Sequence, residues 1–416
     1  MSVPLRLSIA ERELDSGLTL LAVHNPGVQT FACAVSLDVR AGDEPADQPG
    51  LQHLMGECLD EGTKRYDALE LSAAGESLGA MMEGNHRGGV VMCPAVAHKE
   101  AMALLREMLL SPEFPGREVR RVQAEVLSEI KAEDDDPRGV AARRFRKEVY
   151  GEHPLGRPTQ GTAKGVAKLK PKDLRAFHET WFRPAGGYIA VSGPEEPEKA
   201  LDRVQKVFRD LRGKMPKHTT PPDVKLPAAG RDAHIPMSRE QVHVFLGHVG
   251  IRRTHPDYYL LSVMDHVLGT GPGFTSRCSR KLRDEQGLCY AVSAGITGSA
   301  GEEPGTFTAY IGTSPEHRQR AIDGFLDEIR RIREEPVSAA ELQDVKDYLT
   351  GSFVFGLERN SNLAAYAIRA RRFGLGFDFI QRYPDIIRAI TVEQVREAAE
   401  RHLHPDRLVA ISAGAS

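Results

Sequence analysis

The sequence lacks several features that would place it in a specialised class. Its five cysteines are odd in number, scattered, and contain no Cys-x-x-Cys pair: Cys33, Cys58, Cys93, Cys278 and Cys289. This pattern favours free thiols in a reducing compartment over a disulfide framework. The 55 basic and 58 acidic residues nearly balance, so no global charge points to nucleic acid or to an anionic membrane.

Long apolar runs are also missing. No stretch approaches the roughly 18–20 residues needed to span a bilayer. The first eight residues (MSVPLRLS) lack the charged head and apolar core of a signal peptide. We therefore expect a cytoplasmic protein that binds neither membrane nor nucleic acid, although the sequence leaves an organelle matrix open.

The chain is long enough for two domains, and it divides near its middle. At 416 residues, two or more domains with their own cores are expected. Residues 212–230 are rich in Pro, Lys and Thr without helical or strand periodicity, which is typical of an extended linker. The predicted organisation is an N-terminal domain over 1–213, a linker over 214–230 and a C-terminal domain over 231–416.

The two halves resemble each other. Residues 169–193 align without gaps on 390–414, and both segments predict an amphipathic helix, a Pro turn and a terminal strand. Residues 118–129 align on 341–352 at nearly the same offset. The shared offset and element order indicate a duplicated fold.

Strands and helices mix within each half without strict alternation. Residues 17–24 and 31–39 predict two strands joined by a turn at 25–27. Helices are predicted around 50–61, 67–78, 97–110 and 116–133. The fold class is therefore α+β, with helices packed on largely antiparallel sheets.

The segment 50–63 carries the most informative side chains. His53 and Glu57 are four residues apart, so on a helix they share one face and can hold one metal ion. In the inverted zinc motif His-x-x-Glu-His, the Glu between the two histidines is the general base. Here Gly56 occupies the position of that Glu, and Glu57 that of the second His. A third ligand would come from a distant helix, with Glu129 as the candidate. The plainer alternative is a solvated i, i+4 pair.

Several further segments resemble the inverzincin family of pitrilysin, insulinase and the mitochondrial processing peptidases. In the first half these are LDVRAGDE (37–44), PGLQH (49–53), DEGT (60–63), VLSEI (126–130) and GEHPLGRPTQGT (151–162). In the second half they are RCSRKLRDEQGLCYAVS (277–293) and YPDIIRAIT (383–391). The resemblance covers essentially the whole chain. It implies two homologous halves that form a clamshell.

The resemblance carries over residue by residue only in part. His53 matches the first zinc-ligand histidine and Glu129 the third ligand. Gly56 stands where the family has its catalytic Glu, and a glycine side chain can neither accept nor donate a proton. Val122 stands where the family usually has a further Glu. Glu57 replaces a ligand His; a carboxylate can still bind zinc or a harder divalent ion.

The second half matches the family at an Arg and a Tyr seven residues apart. In the family this pair holds the substrate backbone and the developing oxyanion. Here the pair is Arg283 and Tyr290. A guanidinium and a phenol are suitable donors to a polarised carbonyl oxygen. The plainer alternative is a surface Arg and a core Tyr.

These matches imply a zinc-deficient, substrate-binding subunit of a heterodimeric zinc metallopeptidase that acts on peptides. The expected partner is a homologous chain that bears the zinc, or else a second copy of this chain, and this chain would hold zinc weakly or not at all. No catalytic residue is expected to act in this chain alone. Two alternatives stay open: a non-catalytic scaffold or peptide-binding protein of the same fold, and an autonomous metallopeptidase with an altered metal site.

Overall fold

The structure is a computed structural model that describes residues 7–272 and 275–415. Most of the N-terminal stretch on which the signal-peptide expectation rests lies outside these residues. Within the described ranges, no helix is both long and apolar enough to cross a bilayer.

Eleven strands of the described chain form two sheets. They are β1 (Ser8–Glu13), β2 (Thr19–His24), β3 (Thr30–Ser36), β4 (Met81–Asn85), β5 (Gly88–Pro94), β6 (Tyr188–Gly193), β7 (Arg231–Pro236), β8 (Val242–Val249), β9 (Val292–Gly295), β10 (Thr306–Thr313) and β11 (Val409–Gly414). The first sheet has the order β1-β2-β6-β3-β5-β4, and the second β7-β11-β8-β10-β9. Only the β2–β6 and β11–β7 pairs are parallel. The α+β class with largely antiparallel sheets is thus confirmed.

The helices surround these sheets. They are α1 (Leu51–Glu57), α2 (Ala68–Ser77), α3 (His98–Leu110), α4 (Gly116–Asp134), α5 (Pro137–Tyr150), α6 (Ala163–Val166), α7 (Pro171–Trp181), α8 (Pro197–Val207), α9 (Tyr258–Asp265), α10 (Arg318–Glu334), α11 (Ala339–Ser352), α12 (Asn360–Arg372), α13 (Phe379–Arg388) and α14 (Val392–His402). The helices predicted around 67–78, 97–110 and 116–133 are confirmed as α2, α3 and α4.

The helix predicted over 50–61 is shorter than expected. It ends at Glu57 because the chain then turns and becomes extended, with Thr63 bridged to Pro112 and Gly62 bridged to Asp67. His53 and Glu57 nevertheless lie on the same helix.

Five strands of the first sheet repeat the topology of the second, with β1 as an additional edge strand, which confirms the duplicated fold. The aligned terminal strands, β6 and β11, occupy equivalent places: each lies between one parallel and one antiparallel neighbour. The helix and strand predicted in each aligned segment are present as α7 with β6 and α14 with β11. One local expectation needs refinement. Strands β2 and β3 follow each other in sequence, but β6 lies between them in the sheet.

Two compact units are formed, and they exchange helical segments between the halves of the sequence. Unit 1 comprises 1–130, 158–220 and 353–381; unit 2 comprises 131–157, 221–352 and 382–416. Helix α5 therefore packs on β8 and β11 of unit 2, and α12 packs on β2, β3 and β6 of unit 1. Residues 214–230 contain neither helix nor strand, and the boundary between the units falls within them, at 220/221.

The beginning of this linker is attached to unit 1. The His218 ring stacks on Trp181, with ring centroids 5.2 Å apart. Its Nδ1 atom lies 2.9 Å from Asp43 Oδ1, and its Nε2 atom 3.2 Å from Asp38 Oδ2. The segment around His218 is therefore held in place by these contacts.

A single buried asparagine attaches α12 to the first sheet. The Asn360 side chain donates to the Thr30 carbonyl (2.8 Å) and the Thr30 hydroxyl (2.9 Å). Its oxygen accepts from Ser192 Oγ (2.7 Å) and Asn25 Nδ2 (3.0 Å). Both donors and both acceptor sites of the amide are thereby used.

We predict that Asn360→Asp destabilises unit 1 by about 2–4 kcal/mol, since a carboxylate cannot donate to Thr30 and each buried group left unpaired costs about 1–3 kcal/mol. Urea unfolding followed by circular dichroism measures the change. Asn362→Asp, on the same helix, is the control and should be neutral or slightly stabilising, because an acid favours the first turn. Equal stability of Asn360→Asp and the wild type would contradict the role of this amide.

Candidate functional site

Helix α1 begins at a glycine and is capped by a distant carboxylate. Gly50, its N-cap residue, has φ +94°, a left-handed conformation that favours glycine. Because Gly50 has no side chain, Glu44 supplies the cap by accepting from the Gln52 N–H group (2.9 Å). The Gln52 side chain in turn donates to the Arg40 carbonyl (2.7 Å). The segments 37–44 and 49–53 thus set the direction of α1.

Two other segments that resemble the family, 151–162 and 60–63, lie at the two ends of α1. A Cβ atom on Gly50 would lie 2.6 Å from the Gln160 carbonyl oxygen, so the loop 151–162 passes directly against the start of the helix. At the exit, Arg121 of α4 pairs with Glu61, and also with Glu118 at 3.1 Å and Glu125 at 2.8 Å. These contacts fix α1 between the loop and α4.

The three predicted metal ligands lie in unit 1, but they are not gathered into one set. His53 Nδ1 is 3.8 Å from Glu57 Oε1, and the Glu57 side chain is 51% exposed. Glu129 is exposed on α4, and its Oε2 accepts from Gln160 Nε2 at 3.0 Å. His53 Nε2 is buried without a hydrogen-bond partner among the described residues, so it is a nitrogen that an ion could satisfy. Their ligand atoms do not all come within 4.8 Å of one another.

These residues therefore do not fit a three-ligand zinc site, which requires donors about 2.0–2.2 Å from one ion. One orphaned imidazole nitrogen is consistent with a former or weak site. The assignment of His53, Glu57 and Glu129 as ligands stays a prediction, and no reaction step is derived through a metal in this chain.

At the position of the missing general base, the backbone of a neighbouring hairpin is in close contact. A Cβ atom on Gly56 would lie 2.7 Å from the His86 nitrogen, and 3.0 Å and 3.1 Å from the Asn85 carbonyl carbon and Cα. Real Cβ atoms essentially never come within 3.0 Å of another heavy atom. Because all three neighbours are backbone atoms, the turn between β4 and β5 would have to move before any side chain fitted at position 56.

His86, in this turn, lies at the site although it is not part of the His-x-x-Glu-His comparison. Burial, with smaller contributions from Arg87 and His53, lowers the pKa of His86 to about 4. The His86 backbone thus lies against Gly56, and its ring is close enough to His53 for the two charges to interact. A long-range pairing of this kind leaves no periodic signal in the sequence.

Val122 shows a second change in the same region. This residue stands where the family usually has a Glu, and its side chain is 3% exposed within the core of unit 1. It lies on the apolar stripe of α4 with Val119, Val126 and Ile130. A carboxylate here would be buried among apolar side chains at a large desolvation cost.

Arg283 and Tyr290 form a pair on the surface of unit 2. Arg283 lies in a π-helical segment, Ser279–Glu285, a rare geometry that is frequent at functional sites. Its guanidinium carbon is 5.8 Å from the centroid of the Tyr290 ring, and its Nη1 donates to Asp284 (2.9 Å). Tyr290 is 83% exposed and precedes β9, the edge strand of the second sheet. The alternative of a core tyrosine is therefore wrong.

Another group in unit 2 has the composition of a metal site but the geometry of an ion pair. Within the described ranges, His255, Asp257 and His402 form the one group of three possible ligands whose atoms lie within 4.8 Å of one another. Asp257 Oδ2 accepts from Arg401 (3.0 Å) and lies 2.7 Å from His402 Nε2. His255 Nδ1 accepts from the Asp257 N–H group (3.1 Å), so a neutral His255 carries its proton on Nε2 and offers no lone pair to a metal.

This cluster joins two helix ends of opposite polarity. Asp257 precedes α9, and Arg401 and His402 lie in the last turn of α14. A carboxylate at a helix N-terminus and cations at a C-terminus are both favourable to the helix dipoles. We therefore interpret it as a structural contact.

Two family models match the chain. The description "Insulinase (Peptidase family M16)" matches residues 19–163, and "Peptidase M16 inactive domain" matches 168–349. Together they cover well over half of the sequence. The chain belongs to peptidase family M16. The resemblance drawn from the motifs is thereby confirmed, and the second match contains both Arg283 and Tyr290.

Relatives of this M16 chain extend over nearly its whole length. An uncharacterized zinc protease of Mycobacterium tuberculosis is 26% identical over 396 residues, covering 94% of this chain and 89% of the relative. The uncharacterized zinc protease YmxG of Bacillus subtilis is 24% identical over 353 residues, covering 84% of each.

Solved structures establish the same fold. A crystal structure of a peptidase M16 inactive domain from Pseudomonas fluorescens has a TM-score of 0.90 at 24% identity, covering 99% of this chain and 98% of that one. A protease from Helicobacter pylori has a TM-score of 0.88 at 18% identity, covering 98% of this chain and 100% of that one. At these identities the likeness concerns the fold alone.

We predict that Gly56→Ala lowers the free energy of unfolding by about 1–3 kcal/mol, the usual cost of overpacking, because the added methyl meets the hairpin backbone. Thermal or urea unfolding measures the change. Gly351→Ala is the matched control: it also lies in a helix, α11, and its added Cβ meets nothing within 4 Å. It should stabilise by up to about 1 kcal/mol. If both variants gain stability, the close approach at Gly56 is wrong.

Proposed function

We propose that this M16 chain is the zinc-deficient, substrate-binding subunit of a two-chain metallopeptidase that acts on peptides. The observation that carries the proposal is the contrast between its two candidate sites. At Gly56 a hairpin backbone fills the place of the general base, whereas Arg283 and Tyr290 stand together at an accessible surface.

The lack of a general base at Gly56 argues against autonomous hydrolysis. Metal-dependent peptide hydrolysis needs a base that takes the proton of the attacking water, and a lost general base typically costs on the order of 10²–10⁴ in rate. Glu57 is rotated about 100° around the helix from position 56, so it cannot take over that place. The burial of Val122 in the apolar core also argues against autonomous hydrolysis, because the family usually has a Glu at this position.

The pair of Arg283 and Tyr290 supports binding of a polarised carbonyl group. The Tyr290 hydroxyl and the Arg283 guanidinium both donate hydrogen bonds, and Tyr290 is exposed enough to reach a partner's substrate. In this role the two residues would stabilise negative charge on the carbonyl oxygen while the zinc of the other chain polarises it.

An edge strand in unit 1 supports binding of the peptide itself. Strand β4 pairs with β5 on one side and ends the sheet, so its other edge has no strand partner within the described residues. Such an edge offers N–H and C=O groups to an extended peptide. The same edge would serve a non-catalytic peptide-binding protein, which is the second candidate function.

We predict that the purified chain has no peptidase activity alone and gains activity when mixed with a homologous chain that carries an intact His-x-x-Glu-His motif. Arg283→Ala or Tyr290→Phe in this chain should lower kcat/KM of the mixture by about 10²-fold, the usual effect of removing an oxyanion donor. Cleavage of a fluorogenic peptide is the measurement.

Matched controls separate this role from general damage to the fold. Arg330→Ala and Tyr348→Phe alter an Arg and a Tyr of unit 2 that are 48% and 41% exposed, and both should leave the mixture fully active. If Arg283→Ala and Tyr290→Phe are as active as these controls, the substrate-binding role is wrong. A stable complex with a chain that is not a peptidase would favour the scaffold function.

We predict that the isolated chain retains well under one zinc per molecule after dialysis, because its donors do not converge and a carboxylate has replaced a histidine. Elemental analysis of native protein tests this. One tightly held zinc that disappears in His53→Ala would instead revive the autonomous enzyme.

We also expect Gly56→Glu combined with Glu57→His to unfold more easily rather than to gain activity, because of the hairpin at Asn85–His86.

A further inference from the structure

A cavity lies at the end of β4 farthest from α1. Strand β4 reaches the hairpin beside Gly56 at Asn85, and its first residue, Met81, lies four residues back, about 13 Å at 3.3 Å per residue. The cavity at this end has a volume of about 420 Å³, within the range of ligand sites. Its walls are mainly apolar and include Val28, Phe31, Met81, Met92 and Pro94.

The register of three strands makes the floor of this cavity. Ala32 lies opposite Met92, and Met92 lies opposite Met81. Directly opposed residues point to the same face of a sheet, so these three side chains form one apolar row that ends at the free edge. Helix α12 covers β2, β6 and β3, and Met81 is left 63% exposed. The row is thus open to a ligand at the edge.

A positively charged side chain lies at the rim of the cavity. Arg359, the residue before α12, lines the cavity and is exposed, and within the described residues it makes no ion pair and no side-chain hydrogen bond. Glu358 also lines the cavity, so the rim has one charge of each sign. The partial positive charge at the N-terminus of α12 adds to the charge of Arg359.

We propose that this cavity binds the C-terminal residue of a peptide that lies along β4, with an apolar side chain in the cavity and the terminal carboxylate on Arg359. This inference rests on the proposed function, since it assumes that β4 takes up peptides. A peptide paired antiparallel with β4 runs from the Asn85 end to the Met81 end, so its C-terminus arrives at the cavity.

The chemistry of the site selects for this group over an internal segment. A guanidinium binds a carboxylate through two parallel N–H donors, an interaction that an amide cannot reproduce. The apolar row favours a Leu- or Phe-like final side chain, and an acidic final side chain would meet Glu358 and apolar walls. The proposed ligand class is therefore peptides with a free, apolar C-terminal residue.

The test is direct binding to the purified full-length chain, without any partner. Two N-terminally labelled ten-residue peptides ending in Leu, one with a free carboxylate and one amidated, are titrated by fluorescence anisotropy. We expect the free acid to bind at least tenfold more tightly. Arg359→Gln should abolish that difference, and Arg117→Gln, at a 91% exposed arginine of unit 1, should retain it.

A second pair of variants tests the apolar row. Met81→Glu should weaken binding of the free acid at least tenfold, whereas Leu69→Glu, at an 82% exposed leucine on α2, should not. Both positions are on the surface, so folding is preserved. A circular dichroism spectrum and an unfolding curve of each variant verify this.

Three results would overturn the inference: equal affinity for acid and amide, a preference that survives in Arg359→Gln, or decanoate binding at this cavity with no contribution from a peptide. The last result would identify a site for free apolar carboxylates. None of them bears on the activity of the mixture with a zinc-bearing chain, and an inactive mixture leaves this binding assay unaffected. The two proposals thus fail separately.

Discussion

The attachment of α12 to the first sheet is the contact on which the rest of unit 1 depends. Asn360 fills all four hydrogen-bonding places of its amide with groups from β3, β6 and the turn after β2. These partners lie more than 160 residues away in sequence. A buried amide with all its hydrogen bonds formed specifies one position of α12 on the sheet, because any displacement would leave buried polar groups unpaired. The same contact fixes the start of α12, and therefore the cation at the rim of the cavity.

Because helices are exchanged between the two halves of the sequence, each sheet is packed against a helix from the other half. Helix α5 is placed on the second sheet and α12 on the first, so each compact unit contains a segment from the other half of the sequence. The two helix starts differ in charge. Asp136 caps α5 through the N–H groups of Arg138 and Gly139, whereas Arg359 precedes α12. Duplication has thus kept the architecture while the chemistry of equivalent positions diverged.

The departure from the family's zinc motif extends beyond one position. The hairpin turn at Asn85–His86 is in contact with Gly56, and Val122 has joined the apolar core. At both positions, close packing occupies the place where the family has a carboxylate side chain. In unit 2, by contrast, Tyr290 remains exposed beside the Arg283 guanidinium.

Much of the fold was predictable because local patterns and the duplication agree. The helices α3 and α4 and the helix–turn–strand segments that end in β6 and β11 all appear as expected. The resemblance to the family also singled out Arg283 and Tyr290, which the structure brings close together, and their role stays a prediction. Local patterns did not predict that β6 separates β2 from β3, or that α12 belongs to the first unit. Those features depend on pairings between residues far apart in sequence.

The candidate site shows the same division. The sequence by itself determined that Gly56 cannot act as a base and that His53 and Glu57 share a helical face, because these follow from residue type and helical spacing. Only the tertiary structure decided that a side chain at position 56 would meet the backbone of Asn85 and His86, and that Met81 and Arg359 border one cavity. Each of these depends on the distance between segments that the fold brings together, and such distances leave no trace in local spacing.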